Sequence, residues 1–187
     1  LGTRAFELLS RTSPNFSSGV PIVFITYDDA AGASSSVAPN VTGIISPLRF
    51  RKLVRGAKVL VPGLRRIALV GDPFERQPFR RHYREEMKEF AGELEFIDLS
   101  GQTLEEVKAG VAALPDDTVI AYTVVYRDRQ GTLYNTADAL GAVSAAANRP
   151  IIVDSEVNVG PGGTGGYVLS AEDHARESAH LVARVLA

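Results

Sequence analysis

Residues 118–170 read TVIAYTVVYRDRQGTLYNTADALGAVSAAANRPIIVDSEVNVGPGGTGGYVLS, and the fold is decided there. An apolar run, residues 118–126, stops at the charged turn Arg127-Asp128-Arg129-Gln130-Gly131. A stretch of small residues, 137–148, predicts a helix that packs closely on a sheet. A second apolar run, 151–153, then passes straight into Asp154-Ser155-Glu156. Parallel strands buried on both faces read as continuous hydrophobic runs joined by crossover helices. In open α/β sheets, ligands collect just beyond the carboxyl ends of such strands. The polar residues at those ends are therefore the candidates for function.

The same alternation extends outward in both directions. Residues 20–26 (VPIVFIT) predict a strand with Pro21 at its entry, since proline cannot donate to a ladder. A short helix is expected over 3–11, a strand over 41–45, and a helix opened by Pro47 at its first position. Strands over 66–71 and 94–98 flank a charged amphipathic helix over 75–90. Thr103 and Glu106 have the spacing of a capping box for a helix running to about Leu114. A strand over 166–169 precedes a last helix, capped near Ser170, whose buried stripe is Ala175, Ala179, Leu181, Val182 and Val185. Strand and helix in alternation give an α/β protein with parallel sheets flanked by helices. The Ser-rich stretch 34–36 and the Gly-rich stretch 160–166 are read as passages between two lobes.

Composition narrows the chemistry. The 187 residues are 45% hydrophobic and 22% charged, with a formal net charge of −2. Lys and Arg are scattered, and the densest basic spot, Arg80-Arg81 to Arg84, runs directly into Glu85-Glu86. It reads as a solvated helix face, and nothing has the basic stripe that nucleic-acid binding requires. The absence of cysteine excludes disulfides, thiol catalysis and thiolate metal sites. No apolar run approaches the roughly 20 residues of a membrane span, and no signal peptide is read at the start.

Catalytic and cofactor signatures fail on context. Gly160-Pro161-Gly162-Gly163-Thr164-Gly165-Gly166 resembles a phosphate loop in composition only. It lacks the Lys-Ser/Thr ending and precedes a strand, not a helix N-terminus, so a hinge is the better reading. His82, His174 and His180 fall on predicted helices without metal-ligand spacing. No Gly-x-Ser-x-Gly elbow occurs. Asp28 and Asp29 are adjacent on an extended segment and point to opposite faces, so they do not form a catalytic pair. No catalytic residue, metal or cofactor is assigned.

The strand-end set that remains is Tyr27, Asp28, Phe74, Tyr126, Arg127, Asp154 and Glu156, with Asp72 beside it. Ligand pockets combine an apolar or aromatic wall with a few fixed polar groups. Tyr126 and Phe74 are suited to wall a ligand, Arg127 to grip a carboxylate bidentately, and Asp154 or Glu156 to accept from an amine or hydroxyl.

The phrases VPIVFITYDD, PNVTGI, AYTVVYRDRQG, TADAL, RPIIVDSE and GGYVLSAEDHARESAHLVARVL, in this order and spacing, carry a resemblance. The chain resembles the periplasmic ligand-sensing domains of bacterial sensor histidine kinases that are related to ABC-transporter substrate-binding proteins. The resemblance implies a two-lobed, type I periplasmic-binding-protein-like fold with lobe one incomplete. Residues 1–45 would be the C-terminal part of lobe one, 46–156 lobe two, and 157–187 a return segment packing on lobe one. It further implies a non-enzymatic sensor that binds a small-molecule ligand and signals to a kinase by lobe closure. Such a domain is the periplasmic or extracytoplasmic part of an inner-membrane protein, with the membrane reached only through segments outside this chain. Apolar surface exposed on a truncated lobe one would favour a homodimer. The alternatives are a solute-binding protein of an ABC transporter and an α/β enzyme.

Overall fold

The structure is a computed structural model that describes Ala5, Leu8, residues 20–27 and residues 40–187. It divides into two compact units, Leu1–Leu48 with Ser170–Ala187, and Arg49–Leu169. The helix expected over 3–11 lies mostly outside the described residues, where only Ala5 and Leu8 are seen, both helical. Asp28 and the Ser-rich stretch 34–36 also lie outside them.

In the first unit, β1 (Ile22–Thr26) and β2 (Val41–Ile45) pair in parallel, from Ile22 opposite Val41 to Thr26 opposite Ile45. Pro21 stands just ahead of β1, where its missing N–H costs no ladder bond. A long helix, Ala171–Leu186, packs on both strands and is capped by Ser170, whose hydroxyl accepts from the Asp173 amide at 3.3 Å. None of its residues is buried, contrary to the stripe expected from Ala175, Ala179, Leu181, Val182 and Val185. The spacing is amphipathic, and among the described residues the surface that the helix packs on is the two-stranded β1–β2 sheet.

The second unit is a four-stranded, fully parallel sheet. The helix α1 (Phe50–Leu60) leads into β3 (Arg66–Val70), followed by the short helix α2 (Tyr83–Lys88), β4 (Glu95–Asp98) and α3 (Leu104–Ala112). Then come β5 (Thr118–Tyr122), α4 (Thr136–Ala146) and β6 (Ile151–Val153), and the final helix of the first unit is α5. The strand order is β4-β3-β5-β6. All five residues of β5 are buried, as a central parallel strand demands. One sheet face, with Ala68, Val70, Ile120, Tyr122, Ile151 and Val153, packs on Val107 and Val111 of α3 and on Ala139, Leu140 and Val143 of α4. The alternate residues Ile67, Leu69, Val119 and Ile152 are buried on the opposite face. Helix α1 lies beside α2 and β6.

Four local expectations are corrected. Pro47 does not open α1. Arg49 is extended (φ −136°, ψ 121°), so the helix starts at Phe50. Phe50, Leu53, Val54 and Ala57 then form its buried stripe. No local side chain caps α1 and its first turn holds no acid. Glu86 of α2 supplies both, accepting the Arg51 amide at 3.1 Å and lying 3.6 Å from Arg49.

The helix expected over 75–90 is instead two single 3-10 turns, Phe74–Arg76 and Pro78–Arg80, and then α2. Pro78 forces Gln77 into an extended conformation (φ −108°, ψ 90°) and lacks the N–H a helix needs. His82 accordingly precedes α2 and is not helical. The run at 118–126 is a strand only to Tyr122, after which the backbone turns.

Residues 166–169 make no strand. Gly165 and Leu169 form isolated bridges to Ile152 and Ser155. Gly166 has φ +152°, and a Cβ there would sit 2.3 Å from the Val153 carbonyl oxygen, so only glycine permits this approach. The Gly-rich stretch belongs to the second unit and runs along β6, with the Val153 amide donating to Gly165 at 2.9 Å and the Thr164 amide to Ile151 at 2.7 Å.

Candidate functional site

From β3 the chain crosses to β4 on one side. From β5 it crosses to β6 on the other. The order therefore reverses between β3 and β5, and the carboxyl ends of these two strands are where open α/β sheets bind ligands. Gly71 and Asp72 follow β3, and residues 123–128 follow β5.

Asp72 joins the two ends. Its amide donates to the Val124 carbonyl at 2.6 Å. Its carboxylate Oδ1 accepts the amides of Tyr126 and Arg127, both at 3.2 Å. These bonds fix the backbone while leaving both side chains outside: Tyr126 is 58% exposed, and Arg127 is exposed with no ion-pair partner among the described residues. Beyond them the chain folds back through an Arg127–Leu133 bridge. Buried Asp128 organises that turn by accepting from the Gln130 and Thr132 amides at 2.9 Å and the Tyr134 hydroxyl at 2.7 Å. Burial pushes the Asp128 carboxyl up, but those donors outweigh it and hold it below the usual carboxylate range.

A buried polar chain runs beneath this surface. Gln77 Nε2 donates to the Asp72 carbonyl and, at 3.0 Å, to Thr123 Oγ1. Its Oε1 accepts from Arg80 at 3.0 Å. The Arg80 guanidinium grips Asp154 bidentately, at 2.6 and 2.7 Å, and the Tyr83 hydroxyl donates to the same carboxylate at 3.0 Å. Burial disfavours the Arg80 cation, yet the charge and hydrogen bonds of Asp154 prevail and raise its pKa above the ordinary arginine value. Burial first, and Asp154 second, push the Tyr83 hydroxyl well up. Burial also raises Tyr122 to about 12. Arg80 therefore stays charged, and Tyr83 and Tyr122 stay protonated, throughout the physiological range.

The expected site residues are distributed as follows. Tyr126 and Arg127 stand open at the switch point. Phe74 is 4% exposed and packs edge-on against Tyr83 with centroids 5.5 Å apart. Asp154, 2% exposed at the end of β6, already holds Arg80 and Tyr83. Glu156 begins the 3-10 turn Glu156–Asn158, and its amide donates to Leu169 at 3.2 Å. Tyr27 follows β1 in the first unit, its ring 5.6 Å from that of His174. Asp28 lies outside the described residues.

Sequence reasoning missed Gln77, Arg80, Tyr83 and Thr123. The basic spot at Arg80 was read as solvated, whereas Arg80 is the residue that turns inward. The available signal was the pair Pro73 and Pro78, whose spacing forbids the continuous helix on which that reading depended. Among the described residues, no three His, Asp or Glu side chains are arranged to hold a metal ion.

Known proteins place this architecture. In fold, the chain is similar to the ligand-free, open structure of a substrate-binding protein with adhesive properties from Clostridium difficile. The TM-score is 0.71 at 18% identity, over 99% of this chain and 62% of that one. It is also similar to a conserved domain protein from Vibrio cholerae O1 biovar El Tor, with TM-score 0.62 at 19% identity and the same coverage of 99% and 62%. The chain thus spans about 62% of the length of these two structures. No curated protein matches it. The family model described as ABC transporter substrate binding protein matches residues 3–187. With that match over nearly its whole length and a substrate-binding-protein-like fold, the chain belongs to the ABC transporter substrate-binding protein family.

Proposed function

We propose that this chain is the solute-capturing part of an ABC importer, working outside the cytoplasm, and that it holds a small molecule bearing a carboxylate at the ends of β3 and β5. The observation that carries this reading is the Tyr126–Arg127 pair, whose backbone is tied to buried Asp72 while its side chains stay open. A guanidinium carried on a fixed backbone suits a bidentate carboxylate, and the adjacent phenol ring offers a flat apolar face. Phe74 and Asp154 support this surface from beneath, and Glu156, beyond the end of β6, is a further contact in this reading. Family membership supports the transporter role over the sensor-kinase role that the resemblance first suggested.

Calorimetry with phenylacetate and a panel of other small carboxylates tests the reading. Saturable binding is expected, weakened roughly ten- to a hundredfold in Arg127→Ala, as for loss of a charge-assisted hydrogen bond. Affinity unchanged in both Arg127→Ala and Tyr126→Ala overturns it.

A further inference from the structure

We infer that Gln77, which is buried, and Arg80, which is largely buried, are the positioning residues of the Tyr126–Arg127 segment. The inference rests on the reading that this segment meets the ligand.

The geometry forms one uninterrupted chain. Asp154, fixed at the end of β6, holds Arg80 through two hydrogen bonds. The Arg80 guanidinium donates to the Gln77 side-chain Oε1 at 3.0 Å, which orients the side-chain amide so that Nε2 faces Asp72 and Thr123. Asp72 and Thr123 are the first polar residues after β3 and β5, and Asp72 carries the amides of Tyr126 and Arg127. One polar chain thus connects the ends of β6, β5 and β3. It ends on the two residues whose side chains remain free.

Three features make Gln77 the decisive link. It is buried, so water does not replace a lost bond cheaply. It uses both ends of its amide, as acceptor toward Arg80 and donor toward Asp72 and Thr123, and no carboxylate or hydrocarbon of similar size does both. Its backbone is held extended by Pro78, so the side chain is delivered from a fixed point. Asp154 is therefore occupied as the fixed end of the chain and is not an open acceptor for the ligand.

The test reads amide hydrogen exchange residue by residue by NMR on the whole protein without ligand, in wild type, Gln77→Leu, Arg80→Lys and Arg80→Met. In Gln77→Leu the Tyr126 and Arg127 amides should exchange about tenfold faster, the scale of one lost hydrogen bond. The amides of β5 and α3 should stay within twofold of wild type. Arg80→Lys, which keeps one bond to Asp154, should restore most of the protection lost in Arg80→Met. Unchanged exchange at Tyr126 and Arg127 overturns the inference. In Gln77→Leu, which leaves the Arg80–Asp154 pair intact, so does a uniform rise across the whole unit, which marks general destabilisation. Phenylacetate titration of these variants and of Arg127→Ala reads the functional proposal separately. If Arg127→Ala leaves that titration unchanged while the exchange pattern holds, the positioning chain stands and the binding site lies elsewhere.

Discussion

Arg80 and Asp154, 74 residues apart in sequence, meet through two hydrogen bonds of 2.6 and 2.7 Å inside the second unit. Removing one partner leaves the other charged and buried, which costs about 3–5 kcal/mol. Asp154→Asn and Arg80→Met should each lower the urea midpoint accordingly. The double variant Arg80→Met with Asp154→Leu should recover most of the loss, because no uncompensated charge remains. A double variant as unstable as the singles would show that the pair matters for shape and not for charge.

Thr103 caps α3 in a reciprocal box, with its hydroxyl accepting from the Glu106 amide at 3.4 Å and the Glu106 carboxylate accepting the Thr103 amide at 3.0 Å. Thr103→Ala should cost about 1 kcal/mol of stability by chemical denaturation. Thr103→Ser should restore it. A neutral Thr103→Ala would mean that water satisfies this helix end equally well.

Gly71 has φ +154°, and a Cβ there would stand 2.1 Å from Thr123 Oγ1. Gly71→Ala therefore forces strain and displaces Thr123 from Gln77. The expected cost exceeds about 1 kcal/mol, with the greatest chemical-shift changes at residues 123–127. A variant of wild-type stability with unmoved resonances contradicts the close packing of β3 and β5 ends.

Acid should loosen the 126–134 turn. The folded Asp128 carboxyl titrates below its unfolded value because Tyr134, Thr132 and Gln130 donate to it, although burial opposes them. A depressed folded value means the stabilisation is complete above the unfolded value, about 3.9, and fades as pH falls through the lower folded one. Melting temperature measured from pH 6 to pH 2.5 should decline at the acid end, and Asp128→Asn should flatten that decline. Identical acid slopes in both proteins would remove Asp128 from the account.

The sheet was legible because its information is local and repetitive. Residues 119–122 and 151–153 are apolar without interruption, as strands buried on both faces are. The Thr103–Glu106 box was legible for the same reason, since cap and partner lie three residues apart. Tyr126 and Arg127 entered the candidate set because they end an apolar run, and the structure leaves both exposed. Gln77 and Arg80 were not, because their roles depend on partners 46 and 74 residues away, and a charged residue with a distant counter-charge looks solvated in sequence. The exposed face of α5 escaped for a related reason. Amphipathic spacing reports which side of a helix prefers contact, not how much surface awaits it.

The remote pairing of Arg80 with Asp154 also sets a schedule for folding during synthesis. Translation at about 5–20 residues per second separates the two residues by roughly 4 to 15 s. During that interval the guanidinium lacks its carboxylate, and desolvating it unpaired is unfavourable. Close packing of the Arg80 segment is thereby disfavoured until β6 has emerged, so the second unit closes late in synthesis.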